Sequence, residues 1–316
     1  MKLAVSLGHG LTPSEVVGAA RKFEHFGFDF VWVSESVGFD SIPILGAIGT
    51  QTGRIGFGTG VVNVYSRSAV QLAMAAATIE VLSPGRFILG IGASSADVVQ
   101  RWHGLDFSGQ LKRVGEYADV LNLKLKKGRE DLPAPFPSVR NDIPVYIAGV
   151  GDRMVRLAKQ KADGVLFFMR PLSSVDAQCQ QLASSTFKVC ANVVTCISRD
   201  AKAAEARARK TVAFYLTYGG SYRRLVDELD SSGEVREATA SVKNHWLKGR
   251  REEAARQVPE GLLSEVAIHG TPSHCGRAIE AYSRVRGLEM LGLQFNAGER
   301  GLPESLDLFS SLPKGL

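Results

Sequence analysis

The sequence predicts a (β/α)8 barrel of the TIM type, folded as one domain over residues 1–316. Three observations carry this. Short, continuous apolar runs recur along the chain and read as strands buried on both faces, as a parallel sheet requires. Longer stretches with apolar residues at three- and four-residue spacing separate them, the alternation a barrel needs. No Ser/Pro/Gly-rich linker interrupts the pattern between Leu3 and Phe295. The one candidate, residues 127–141 with Pro133, Pro135 and Pro137, has the length of a loop.

In chain order the expected strands are Leu3–Leu7, Phe30–Ser34, Ile55–Val62, Phe87–Gly92, Pro144–Gly149, Gly164–Phe168, Lys188–Ile197 and Met290–Phe295. The expected helices are Pro13–Phe26, Ser41–Thr52, Ser68–Leu82, Gly109–Lys126, Asp152–Lys161 and a helical region over Asp200–Lys248. Thr12-Pro13-Ser14-Glu15 reads as an N-cap with proline in the first turn, and Thr271-Pro272-Ser273 repeats it before the last long helix. Gly27, Gly53 and Gly287 stand where a left-handed helix end is wanted. Residues 200–263 form an insertion after strand seven, either a lid over the pocket or part of the scaffold. An open doubly wound sheet is the other architecture, disfavoured by the number of strands and by the absence of a GxGxxG loop after the first.

A hydrophobic content of 45% supports one large core. The net charge of +6 is spread along amphipathic segments such as Ala201–Lys210, without the basic-aromatic stripe of a nucleic-acid surface. It suits an anionic cofactor. The start, MKLAVSLGHG, has an apolar run too short for a signal peptide or a membrane span, so a cytoplasmic protein is expected, with neither nucleic acid nor membrane as partner. Cys179, Cys190, Cys196 and Cys275 contain no CxxC pair and read as buried thiols. His103, His245, His269 and His274 lack ligand-like spacing, and no metal site is expected.

Barrel enzymes carry their sites at the C-terminal ends of the strands. Gly92-Ala93-Ser94-Ser95 offers small residues whose N–H groups could line an anion, and Gly149-Val150-Gly151-Asp152-Arg153 opens a helix whose dipole attracts a phosphate. Both also read as tight strand-to-helix turns. Gly56, Gly58 and Gly60 alternate within the third strand, which indicates either a bulge under a flat ring or close packing against a neighbour. Glu35, after the second strand, is a candidate proton relay or a carboxylate at a helix N-terminus. His9, after the first, is a candidate proton donor or a surface side chain.

The run FGTGVVNVYSRSAVQLAMAAATIEVLSPGRFILGIGASS resembles the corresponding stretch of coenzyme F420-dependent methylene-tetrahydromethanopterin reductases, within the luciferase-like superfamily. The bulged third strand, Tyr-x-Arg-Ser, the helix ending in Leu-Ser-x-Gly-Arg and the strand ending in Gly-Ile-Gly occur in order. The resemblance continues through Pro144-Val-Tyr-Ile-Ala-Gly, Ala162-Asp163-Gly164 and Val266-Ala-Ile-His-Gly-Thr-Pro. It implies a non-prolyl cis peptide at Gly60–Val61 behind the cofactor's central ring, with Asn63, Tyr65 and Arg67 near the ring or its polar edge. It places Gly92, Ala93, Ser94 and Ser95, and Gly149, Gly151, Asp152 and Arg153, along the phosphate-bearing side chain.

Two departures bear on the substrate. Relatives carry an acidic residue on the first strand where this sequence has Ser6, and an Asp-His pair where it has Glu35-Ser36. The expectation is therefore an F420-dependent oxidoreductase acting on a small polar molecule, as a homodimer or homotetramer with contacts from the helices after strands two and three. An FMN-dependent monooxygenase and a catalytically silent flavin-binding barrel are the alternatives.

Overall fold

The computed structural model describes residues 1–8, 10–35, 37–125, 142–217, 221–230, 233–295 and 303–315. The proline-rich stretch 127–141 and His9 lie outside them. The chain divides into two compact units, residues 4–166 and residues 1–3 with 167–316.

In the first unit β1 (Lys2–Leu7), β2 (Phe30–Val33), β3 (Gly56–Thr59), β4 (Val62–Asn63), β5 (Phe87–Gly92), β6 (Val145–Ala148) and β7 (Gly164–Phe168) alternate with α1 (Pro13–His25), α2 (Ser41–Gln51), α3 (Ala69–Leu82), α4 (Gln110–Leu125) and α5 (Asp152–Lys161). A π-helical turn, Asp97–Trp102, follows β5. Thr12 and Glu15 form a capping box at the start of α1: the Thr12 N–H donates to the Glu15 carboxylate at 2.8 Å, and the Glu15 N–H to the Thr12 hydroxyl at 3.4 Å. Gly27 closes α1 in the left-handed region at φ +83°. Gly53 does not play that part after α2, which ends on extended Thr52. Instead the N–H groups of Gly53, Arg54 and Ile55 converge on one Glu24 carboxylate oxygen at 2.9, 2.6 and 2.9 Å. A carboxylate on α1 thus orients the entry to β3.

The register aligns Ala4, Phe30 and Gly56 in one row and Ser6, Trp32 and Gly58 in the next. Phe57 points at α2, because a Cβ built on Gly49 would lie 2.9 Å from its ring. Gly56 and Gly58 therefore face the opposite side of the sheet. A Cβ on Gly56 would meet the Phe30 ring at 2.5 Å, and one on Gly58 the Trp32 ring at 3.0 Å and the Ile88 carbonyl oxygen at 2.2 Å. Close packing explains these two glycines: two buried aromatics of β2 occupy the space that side chains on β3 would need.

The second unit contains α6 (Leu172–Leu182), β8 (Lys188–Ile197), α7 (Ala201–Thr217), α8 (Ser221–Leu229), α9 (Glu234–Leu247), α10 (Arg251–Arg256), α11 (Glu260–Val266), β9 (Ala267–Gly270), α12 (Pro272–Ser283), β10 (Leu288–Phe295) and α13 (Pro303–Phe309). Thr271 caps α12 by accepting from the His274 N–H at 3.4 Å, and Gly287 follows at φ +90°. The inserted helices α7 to α11 share a core in which Ala208, Val212, Leu216, Val242, Ala254 and Leu263 pack with Val194, Cys196 and Ala267. These residues serve as scaffold. β9, which the sequence reading lacks as a strand, pairs with the end of β8 from Val194↔Ala267 to Ile197↔Gly270.

Among the described residues these strands pair in parallel. Their order is β10-β1-β2-β3-β5-β6-β7-β8-β9, with β4 on β5 and β10 also on β8, the closed sheet of a (β/α)8 barrel. Among the described residues no helix is long and apolar enough to cross a membrane.

Candidate functional site

The third strand is broken where the sequence suggested a bulge. β3 pairs with β5 as far as Gly58↔Ile88, and β4 resumes at Val62↔Ile91, so three residues, Thr59 to Val61, oppose two, Leu89 and Gly90. Side-chain chemistry replaces the missing ladder. The Thr59 hydroxyl donates to the Gly90 carbonyl at 2.7 Å and accepts from the Gly90 N–H at 2.7 Å. The Gly60–Val61 peptide is cis, as the resemblance implies. β5 contributes two glycines to this packing. A Cβ on Gly90 would fall 2.1 Å from the Thr59 carbonyl oxygen, and one on Gly92 2.8 Å from the Val61 side chain. Gly60 and Val61 remain half-buried.

Behind the bulge lies a pair of hydroxyls. Ser34 donates to the Gly60 carbonyl at 3.3 Å, and Ser6 lies 3.4 Å from the Ser34 oxygen. The Gly60 N–H donates to the Val33 carbonyl at 2.8 Å, and the Ser34 N–H to that of Leu7 at 2.9 Å.

Glu35 and Arg67 come together. The guanidinium grips both carboxylate oxygens, at 2.6 and 3.0 Å, and reaches Asp40 at 2.7 Å. Glu35 also accepts from the Ser41 N–H at 3.1 Å and hydroxyl at 2.8 Å, at the start of α2. Burial by itself would lower the Arg67 pKa, but the hydrogen bonds and charges of Glu35 and Asp40 outweigh it and raise it, so the cation is fixed. Both Glu35 oxygens are therefore occupied, as those of a helix-start carboxylate would be.

Asn63 and Tyr65 face other protein groups. The Asn63 side-chain oxygen accepts from the N–H groups of Tyr65 and Ser66, each at 2.9 Å, and its nitrogen lies 3.4 Å from His103. Tyr65 is buried, donates to the Ser108 carbonyl at 3.0 Å and lies under the Arg113 guanidinium at 4.7 Å. Arg113 donates to the Val64 carbonyl at 2.7 Å, and Tyr117 to that of Arg67. Two side chains of α4 thus fasten the segment after β4.

The sequence profile of the luciferase-like monooxygenase family matches residues 1–288. The chain belongs to this family. Several of the proteins it is similar to are named as F420-dependent oxidoreductases, reductases or dehydrogenases. A Mycobacterium tuberculosis protein provisionally named a coenzyme F420-dependent oxidoreductase is 27% identical, over 95% of this chain and 96% of its own. The 5,10-methylenetetrahydromethanopterin reductase of Archaeoglobus fulgidus is 28% identical over 90% of each. The solved coenzyme F420-dependent tetrahydromethanopterin reductase of Methanopyrus kandleri shares the fold, with a TM-score of 0.77 over 98% of this chain and 97% of that one, at 19% identity.

In this luciferase-like barrel the two glycine-rich loops differ in geometry. Ser94 is exposed and takes a left-handed backbone, φ +62°, uncommon for a residue with a side chain. The Ser95 hydroxyl accepts from the Val98 N–H at 3.4 Å as the π-helical turn begins. The N–H groups of Ser94 and Ser95 donate to no acceptor among the described residues. At the other loop Gly149 is fixed to the Leu166 carbonyl at 3.1 Å, and Gly151 starts α5 without a side-chain cap. Asp152 and Arg153 are exposed in its first turn, an anion beside a cation. Among the described residues no group of three or more His, Cys, Asp or Glu could hold a metal ion.

Sequence reasoning missed Ser34, His103, Arg113 and Tyr117 as partners of this region. The first was visible as the residue before Glu35 at a strand end. The others act through contacts across 40 or more positions and leave no local pattern.

Proposed function

We propose that this member of the luciferase-like family is a coenzyme F420-dependent oxidoreductase, acting on a small polar substrate in the manner of the methylenetetrahydromethanopterin reductases. The observation that carries the reading is the bulge: its half-buried Gly60–Val61 face is backed by Gly90 and Gly92, where any Cβ would displace it. A flat ring requires such a surface, free of projecting side chains. The Gly92 to Ser95 loop, where the N–H groups of Ser94 and Ser95 donate to no acceptor among the described residues, and the start of α5 at Gly149 to Arg153, which has no side-chain cap, suit an anionic side chain, although Asp152 opposes it. When bound, the deazaflavin supplies hydride transfer at its ring carbon; the protein supplies binding and orientation.

Within that reading Glu35 positions rather than relays. Its carboxylate holds Arg67 and the start of α2, and Asn63 and Tyr65 hold the segment that follows the bulge. The family's monooxygenase description supports a second reading, in which FMN occupies the same surface. Turnover separates them. Under anaerobic conditions, reduced F420 should be reoxidised on addition of a methylene-tetrahydropterin or a small ketone; oxygen uptake dependent on reduced FMN, with no F420 oxidation across such a panel, would overturn the proposal.

A further inference from the structure

We infer that Ser34, supported by Ser6 and accommodated by Gly8, is a positioning residue that fixes the Gly60 carbonyl and thereby the surface on which the redox cofactor lies. The inference rests on the cofactor reading above and adds the residues that set its geometry.

Two hydrogen bonds meet at the side chain of Ser34. Its hydroxyl has one proton, which goes to the Gly60 carbonyl oxygen at 3.3 Å. The Oγ of buried Ser6 lies 3.4 Å from the Ser34 Oγ, and because the Ser34 proton is already given to Gly60, the Ser6 hydroxyl is the donor to Ser34. The two bonds run in one direction, Ser6 to Ser34 to Gly60, each polarising the next. Neither hydroxyl has another hydrogen-bond partner among the described residues.

The backbone is built around that chain. Gly8 has φ +143°, and a Cβ there would stand 2.9 Å from the Ser34 carbonyl oxygen and 3.3 Å from its Cβ. A side chain at position 8 would displace Ser34. On its other flank Gly60 abuts Trp32, whose Cβ would lie 2.9 Å from a Cβ on Gly60. Trp32 is fully buried, so one side of Gly60 is held by packing and its carbonyl by the hydroxyl. Both bonds are longer than the usual 2.7–2.8 Å between hydroxyl and oxygen acceptor, so each is a weak neutral hydrogen bond. It has no charge to perturb the cofactor's electronics. Its effect is on position.

The test is a double-mutant cycle read by cofactor binding. Ser34→Ala, Ser6→Ala, the double variant and Ser34→Thr are titrated with F420 and with FMN, and their thermal unfolding is recorded. A lost neutral hydrogen bond is worth about 0.5–1.5 kcal/mol, so Ser34→Ala should weaken binding of the preferred cofactor about three- to tenfold and shift the bound cofactor's visible absorption. Ser34→Thr, which keeps the hydroxyl, should restore both. Ser6→Ala should weaken binding less and have no further effect once Ser34 is alanine, since it acts through Ser34. If the wild-type protein binds a cofactor and Ser34→Ala binds it equally, or if threonine fails to rescue while melting is unchanged, the inference falls. If the wild-type protein binds neither cofactor, the functional reading falls instead. Should Ser34→Ala unfold, the Ser6→Ala and Ser34→Thr comparison decides alone.

Discussion

Arg67 stands between two carboxylates, with its side chain 16% exposed and that of Glu35 9%. Removing the cation leaves Glu35 with a largely desolvated charge, so Arg67→Met should cost about 2 to 3 kcal/mol in a urea titration, below the full buried-pair penalty because Asp40 is half exposed. Glu35→Gln should cost less, since an amide still accepts. Gly90 gives a sharper case. Its Cβ would sit 2.1 Å from the Thr59 carbonyl oxygen, and backbone cannot give way there as a flexible side chain can. Gly90→Ala should lower stability by about 2 to 3 kcal/mol, as overpacked cores do, and abolish cofactor binding even where the chain still folds. Among single residues, Gly60 and Val61 were legible through the family resemblance, which implied the cis peptide between them. Gly56 and Gly58 were legible only as two alternatives, and the Phe30 and Trp32 rings decide for packing. Asn63 and Tyr65 were expected at a ring edge. The sequence could not show that an Asx turn and a carbonyl of the 103–108 segment claim them.

Elements were legible where burial leaves a pattern. Strands covered on both faces appear as unbroken apolar runs, and the eight expected ones lie within a residue or two of β1, β2, β5 to β8 and β10, with the third split at the bulge. β9 was missed because four residues ending in glycine, paired with β8 alone among the described pairings, carry too little pattern. The π-helical turn lacks the 3.6-residue spacing that a helix search uses. Junctions between elements depend on single side chains. Glu24 joins α1 to the entry of β3 through three N–H groups, and Arg86 donates to the Gly49 and Ile55 carbonyls at 2.5 and 3.2 Å, capping the end of α2. Burial alone would raise the Glu24 pKa, but the three backbone hydrogen bonds prevail and hold it below the ordinary value of 4.5. A depressed carboxylate contributes stability that is present above the unfolded value and lost as pH falls through the folded one. The stability difference between the wild type and Glu24→Gln should therefore be greatest near neutrality and shrink as pH drops below about 4.5. Urea midpoints across pH measure it; a difference that persists unchanged at pH 3 would contradict the assignment.

At the scale of the molecule, the barrel followed from composition and periodicity, whereas the use of the insertion did not. Residues 200–263 read as a lid or as scaffold, and α7, α9, α10 and α11 share an apolar core with β8 and β9 that no local sequence pattern announced. Family membership accounts for the length and order of the elements. The substrate is less legible, because Ser6 carries no acid and the carboxylate of Glu35 is engaged by Arg67 and Ser41, and neither points to a reactant. In the proposed function the bulge at Thr59 to Val61 carries a deazaflavin. Isothermal titration of the purified protein with F420 and, separately, with FMN, at low and physiological salt, tests it most directly. Selective F420 binding at micromolar or tighter dissociation constant, abolished by Gly90→Ala, is the result predicted; selective FMN binding, or binding of neither, would contradict it.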